Sequence, residues 1–270
     1  LETGIPSIGD PLARGVAWSA LWDAMLGGRM TPARWYEMAV LNLREERDVQ
    51  LIENWLSDLY IVWWRFLAPA QRAERAPELE ALLRGRLEAA IDPGLKSTWF
   101  GSLRSVAITP ATVAWLRALW ERAATIPGLP LVEADETALA HALAVRSVGG
   151  EQRMLDTQRD RITNADRKGR FEFVRGAASS DAAERERWFR ALPDPAARQR
   201  ETWVLDGLKL LNHPLRAQQS TALIPKSLDM LLEVHRTGAL FFDANWMRDT
   251  LRGHSSPRAA AAVSRFVDDL

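Results

Sequence analysis

The sequence predicts an all-α protein, a curved superhelix of stacked antiparallel helix pairs. Three observations carry this. Apolar residues recur at threes and fours in segment after segment, alternation of strand length is missing, and the breakers between segments are short. In "VQLIENWLSDLYIVWWRF" the series Val49, Ile52, Leu56, Leu59, Trp63, Phe66 puts six side chains on one helix stripe. The same spacing recurs in Leu79, Leu82, Leu83, Leu87, then in Val113, Leu116, Trp120, and in Leu228, Leu231, Leu232.

The breakers are "LGGRM", "IDPGLKS", "VAITP", "TIPGLP", "SVGGE", "LPDPAAR", "LIPKS" and "RTGALFF". Helices of about 10–18 residues joined by turns this short lie beside their sequence neighbours. No fixed motif recurs as it would in a tetratricopeptide or ankyrin array, so the expectation is a degenerate solenoid of the HEAT or armadillo kind. It forms a single helical domain over residues 1–270, with sub-halves 1–150 and 151–270. Helix starts are marked by Thr31-Pro32, Thr109-Pro110, Asp194-Pro195 and Ser256-Pro257. In each, a side-chain oxygen accepts an orphan backbone N–H and the proline lacks the N–H that would need a partner.

Composition bounds the function. With 47% apolar and 26% charged residues the chain builds a packed core. Lysine plus arginine and aspartate plus glutamate both number 35, so no global field favours nucleic acid. Cysteine is absent, which removes disulfides, thiolate nucleophiles and cysteine-based zinc sites together. No apolar run is long enough to span a bilayer. The opening "LETGIPSIGD" has neither a methionine start nor the form of a signal peptide, and the expectation is a piece of a longer protein.

Chemistry-bearing motifs are few. The four histidines are followed by Ala142, Pro214, Arg236 and Ser255, so none begins the His-Glu-x-x-His with which two histidines one helical turn apart reach a single zinc. No Gly-x-Ser-x-Gly elbow is present, and Gly27-Gly28 and Gly149-Gly150 lack the ending of a phosphate loop and read as helix terminators. The ending "LRGHSSPRAAAAVSRFVDDL" offers His254, Ser255 and Ser256 with Asp268 and Asp269, which could be a hydrolase site or the two ends of a helix. Capping is the favoured reading of Ser256, with Val263, Phe266, Val267 and Leu270 as the stripe of the helix so begun. The pairs Glu45-Glu46, Asp135-Glu136 and Asp268-Asp269 read as solvated faces or helix ends rather than acid/base dyads. The 12 tryptophans against 2 tyrosines are the unusual count. Core filling between helices is the plain reading. A concave gripping surface, with Arg65, Arg104 and Arg175 supplying charge, is the other.

The last hundred residues carry a resemblance. "ASSDAAERERWFRALPD", "ETWVLDGLKLLNHPLR", and "TGALFFDANWM" leading through "GHSSPRAAAAVSRF" resemble the C-terminal helical domain of bacterial M1-family zinc aminopeptidases, of the aminopeptidase N kind. The stretch "DPLARGVAWSALWDAMLGGRMTPARWYEMAVLNLREERDVQLI" agrees more loosely. The resemblance implies a helical bowl that closes over a catalytic domain of the same polypeptide and limits peptide access to an internal chamber. It also implies zinc in that catalytic domain, whose His-Glu-x-x-His and Gly-x-Met-Glu-Asn motifs this sequence lacks, so no catalytic, metal-binding or cofactor residue is expected in this chain. Arg216 in "NHPLR" and Arg252 before "GHSSP" are the candidates to hold a peptide's far carboxylate in a two-pronged pair, against a plainer role as links between helices. The competing expectation is a free-standing helical-repeat module that binds a protein partner.

Overall fold

The structure, a computed structural model, describes residues 5–269, and every regular element among them is helical. An isolated bridge between Ile126 and Leu129, around Gly128 at φ +74°, is the β-like feature in the "TIPGLP" turn. The chain divides into two compact units between Pro130 and Leu131. The division precedes Gly150 because α7 (Glu133–Val145) packs on α8 (Glu151–Arg161) and α9 (Ala165–Ala178), and so belongs with those later helices.

The first unit holds α1 (Pro11–Leu26), α2 (Pro32–Glu45), α3 (Val49–Ile61), α4 (Pro69–Ala89), α5 (Pro93–Val106) and α6 (Pro110–Trp120). Side chains of Asp10, Thr31, Asp48, Asp92 and Thr109 accept backbone N–H groups at five of these helix starts, four of them followed by proline. Indoles join the helices. Trp18 of α1 lies 4.6 Å from Trp35 of α2 and 4.7 Å from Trp55 of α3, and its Nε1 donates to Asp58 at 3.0 Å. Of the twelve tryptophans eight are buried and the other four half-buried, which is the core-filling role. At roughly 25 cal/mol per Å² over 150–250 Å², each buried ring contributes on the order of 4–6 kcal/mol before the entropy cost of ordering it.

The periodicity of α3 fails at its two ends. Ile52, Leu56, Leu59 and Trp63 are buried, but Val49 is 49% and Phe66 42% exposed. Residues Val62–Phe66 form a π-turn, with the Leu67 N–H donating to the Val62 carbonyl at 3.0 Å. The extra residue in the turn shifts the phase, so Trp63 and Trp64 both point inward and Phe66 points out. Val49 is simply the first residue of the helix.

The second unit continues from α9 with α10 (Ala182–Ala191), α11 (Glu201–Leu211), the short α12 (Ala217–Ser220), α13 (Ile224–Asp229), α14 (Leu231–Thr237), α15 (Phe242–Leu251) and α16 (Pro257–Asp268). Its main core gathers Phe189, Val204, Leu208, Val234, Phe242 and Trp246. Gly207 of α11 sits beneath Trp188 of α10, where an added Cβ would stand 2.1 Å from the indole. A smaller cluster packs Ile224 and Leu228 against Ala259 and Ala262.

Three sequence expectations change here. Asp194-Pro195 starts only the 3-10 turn Pro195–Arg198, with Asp194 accepting the Ala196 N–H, and α11 starts afresh at Glu201. The stripe Leu228, Leu231, Leu232 is cut at Met230, and Leu232 is left 71% exposed. In α16, Val263 and Phe266 pack inward, Val267 is 57% exposed, and Leu270 lies outside the described residues.

Candidate functional site

The segments "NHPLR" and "LRGHSSP" meet in the second unit, at the ends of α11 and α15. Beyond α11, His213 turns the chain by accepting the Leu215 N–H on Nδ1 at 3.2 Å, which caps the turn Pro214–Arg216. Asn212 donates from Nδ2 to the Asp249 carbonyl at 3.3 Å. Gly253 then passes so close that a Cβ there would stand 1.8 Å from the Asn212 carbonyl oxygen. Only glycine permits that approach.

Arg216 enters the knot from the other side. Its side chain is buried, with Nη1 donating to the Ala177 carbonyl at 3.0 Å and Nη2 to those of Ala144 at 2.9 Å and Ala178 at 2.7 Å. These carbonyls close α7 and α9, where the helix dipoles favour a cation. Burial, and after it the neighbouring Arg185, lowers the pKa of Arg216, though a guanidinium remains cationic at neutral pH. The arrangement makes Arg216 a link between helix ends. Arg252 is half-buried and reaches Asp249 at 3.5 Å, and Asp249 also receives Arg248 at 3.2 Å.

His254 hydrogen-bonds to neither Ser255 nor Ser256. Its Nε2 lies 3.2 Å from Asn212 Oδ1 and 3.4 Å from Ser220 Oγ, and its Nδ1 lies 3.3 Å from Thr221 Oγ1. Since Asn212 Nδ2 is spent on Asp249, Oδ1 accepts, which assigns the ring proton to Nε2. Burial pushes the imidazole down to about 4, consistent with this neutral form. Ser256 accepts the Ala259 N–H at 3.2 Å as the cap of α16, and Asp268 and Asp269 are exposed at the opposite end of that helix. A helix start and finish, rather than a hydrolase constellation, is what this ending builds.

The other carboxylate pairs also separate. Glu46 accepts from Arg14 at 2.8 Å and from the amides of Arg47 and Asp48, both at 2.9 Å, while Glu45 is exposed. Burial works against the Glu46 charge, yet Arg14 and the two amides hold its pKa below the usual carboxylate range. Asp135 accepts the Val132 N–H at 3.1 Å, and Glu136 is buried, 3.9 Å from Arg161.

Sequence reasoning missed a group of buried arginines. Arg72 donates to the carbonyls of Trp63 and Leu67, Arg185 to those of Ser179 and Ser180, and Arg198 to those of Leu192 and Pro193. Each of the three lies five or six residues beyond a carbonyl that ends the preceding helix. That spacing, an arginine just after a breaker, is the signal that could have found them. Of the arginines proposed to flank indoles, Arg104 stacks 5.4 Å from Phe100, Arg175 pairs with Asp156 at 2.7 Å, and Arg65 is exposed.

Among the described residues no three histidine or acidic side chains stand together as a metal site requires. No described helix is long and apolar enough to cross a membrane. No protein-family model matches the chain, and no curated protein matches it in sequence.

Proposed function

We propose that this chain is the non-catalytic C-terminal helical domain of an M1-family zinc aminopeptidase. In that role it closes over a catalytic domain of the same polypeptide and limits which peptides reach the chamber. Closure of this kind shuts bulk water from the reacting centre and gates product exit. The intact protein then removes N-terminal amino acids from peptides.

The observation that best supports the reading is the meeting of its two most specific segments. "NHPLR" and "GHSSP" lie far apart in sequence yet interlock through Asn212, Gly253 and His254. The all-helical architecture is compatible with it. By the same geometry Arg216 supports the domain rather than the substrate, and Arg252, only half-buried, is the remaining candidate to meet a peptide carboxylate.

The test is release of amino acids from an aminoacyl reporter with zinc present. The purified 270-residue chain is expected to release none and the polypeptide from the full reading frame to be active. Turnover by the chain alone contradicts the reading. A full reading frame that is inactive and lacks a peptidase motif supports instead the helical-repeat module that binds a protein partner. Exposed Leu232, Leu240 and Phe241 are the apolar surface such a module would use.

A further inference from the structure

The hairpin of α14 and α15 keeps large apolar side chains in solvent. Leu232 is exposed on α14, Leu240 in the turn is 83% exposed, and Phe241 at the start of α15 is 65% exposed. Phe241 has φ +69°, in the left-handed region, which strains a bulky residue and suits glycine or asparagine. A turn that needed only this shape would be met by one of those two. Here the strained position holds an aromatic ring that faces water, so the side chain and not the backbone accounts for the residue. The turn is also firmly held. The Ala239 N–H donates to Glu201 at 2.7 Å, the Phe242 N–H donates to the Ala239 carbonyl at 3.0 Å, and Phe242 and Trp246 anchor α15 in the core. Phe241 is thus presented on a fixed base, which lowers the entropy cost of binding.

The charges of the hairpin point to the partner. Its carboxylates are engaged: Glu233 by Arg198, Asp243 by His235 at 2.7 Å, and the buried Asp249 by Arg248 at 3.2 Å. Arg236 and Arg248 are exposed cations, each one helical turn beyond an exposed apolar residue, Leu232 and Ala244 respectively. We propose that this hairpin docks an acidic amphipathic helix of a separate protein. Apolar residues of that helix cover Leu240 and Phe241, and its carboxylates meet Arg236 and Arg248. An anionic membrane is a poorer match, since the basic segments that hold such a surface carry about four or more cations. The same hairpin of a second copy is a poorer match too, because it brings no unengaged carboxylate to the arginines. So few exposed side chains suit a transient, peptide-sized contact rather than the larger and more apolar surface of a permanent interface. The proposal does not depend on the aminopeptidase reading.

The experiment titrates the full chain into a fluorescein-labelled helical peptide in which leucines recur at threes and fours and glutamates fill the opposite face. Binding is followed by fluorescence anisotropy. The same peptide with lysine in place of glutamate, and vesicles containing phosphatidylserine, are the comparison probes. The acidic peptide is expected to bind saturably and to weaken as salt rises, with the lysine peptide at least about tenfold weaker. Phe241→Asn is expected to lose at least about tenfold in affinity while its thermal midpoint holds or rises, since asparagine relieves the backbone and removes the ring. Arg236→Glu is expected to weaken the acidic peptide several-fold and to leave the midpoint unchanged. The proposal is overturned if the two peptides bind alike or neither binds, or if Phe241→Asn keeps the affinity. It is equally overturned if that variant's midpoint falls by several degrees, which would make the ring structural. Vesicles that displace the peptide overturn it in favour of a membrane. Loss of peptide binding in the polypeptide from the full reading frame overturns it in favour of a domain of the same chain.

Discussion

Arg216 spends its guanidinium on three main-chain carbonyls at the ends of two helices. Replacing it with methionine keeps much of the volume but leaves those carbonyls unpaired, and Arg216→Met is expected to cost about 3–5 kcal/mol. Arg252→Ala takes one of two arginines from the buried Asp249 carboxylate, which keeps Arg248, and is expected to cost about 1–2 kcal/mol. Urea denaturation of both variants at constant slope measures the contrast, and similar losses would contradict the different roles assigned. Two histidines add a pH dependence. Burial lowers His141 and His254 from 6.5 to about 4, so between those values the unfolded chain binds protons that the fold excludes. Stability is complete above pH 6.5 and falls as pH drops toward 4, each histidine adding up to about 1.4 kcal/mol per pH unit. Unfolding free energies of the His141→Phe variant across that range should show a shallower fall, and an unchanged slope would remove His141 from the explanation. Ser256 was legible because a cap is a local matter of residue type followed by proline. Arg216 was not, since its partners lie 38, 39 and 72 residues away and nothing local marks them.

The helices themselves are written in the sequence by caps and spacing, and their failures are local too. Loss of the Ser256 cap in Ser256→Ala is expected to cost about 1 kcal/mol, read from the thermal midpoint. Gly253→Ala is a harsher case, because the new Cβ would stand 1.8 Å from a backbone oxygen that cannot yield without moving the end of α11. That variant should lose about 3 kcal/mol or more, and a loss below about 1 kcal/mol would show the two segments are not in contact. The phase slip at Val62–Phe66 is the place where period-counting misleads. A π-turn inserts one residue without any proline or glycine to announce it. The cut at Met230 is likewise unmarked, as "LDMLLEV" reads as continuous helix. Asp194-Pro195 shows the converse, a start signal that caps only a short 3-10 turn.

At the scale of the molecule, the all-α class followed from the absence of alternation and the shortness of the breakers, and the structure bears it out. The knot of Asn212, Gly253 and His254 was invisible in the sequence, because its residues come from segments about forty positions apart and no local pattern marks their meeting. The proposed function rests on something the fold does not decide, the likeness of the last hundred residues to a domain that encloses another domain's metal. It is tested most directly by the coding sequence that precedes the Leu1 codon, translated in frame. The proposal predicts His-Glu-x-x-His with a second zinc-ligand glutamate downstream of it and a Gly-x-Met-Glu-Asn motif. An open reading frame that carries no peptidase motif would contradict it.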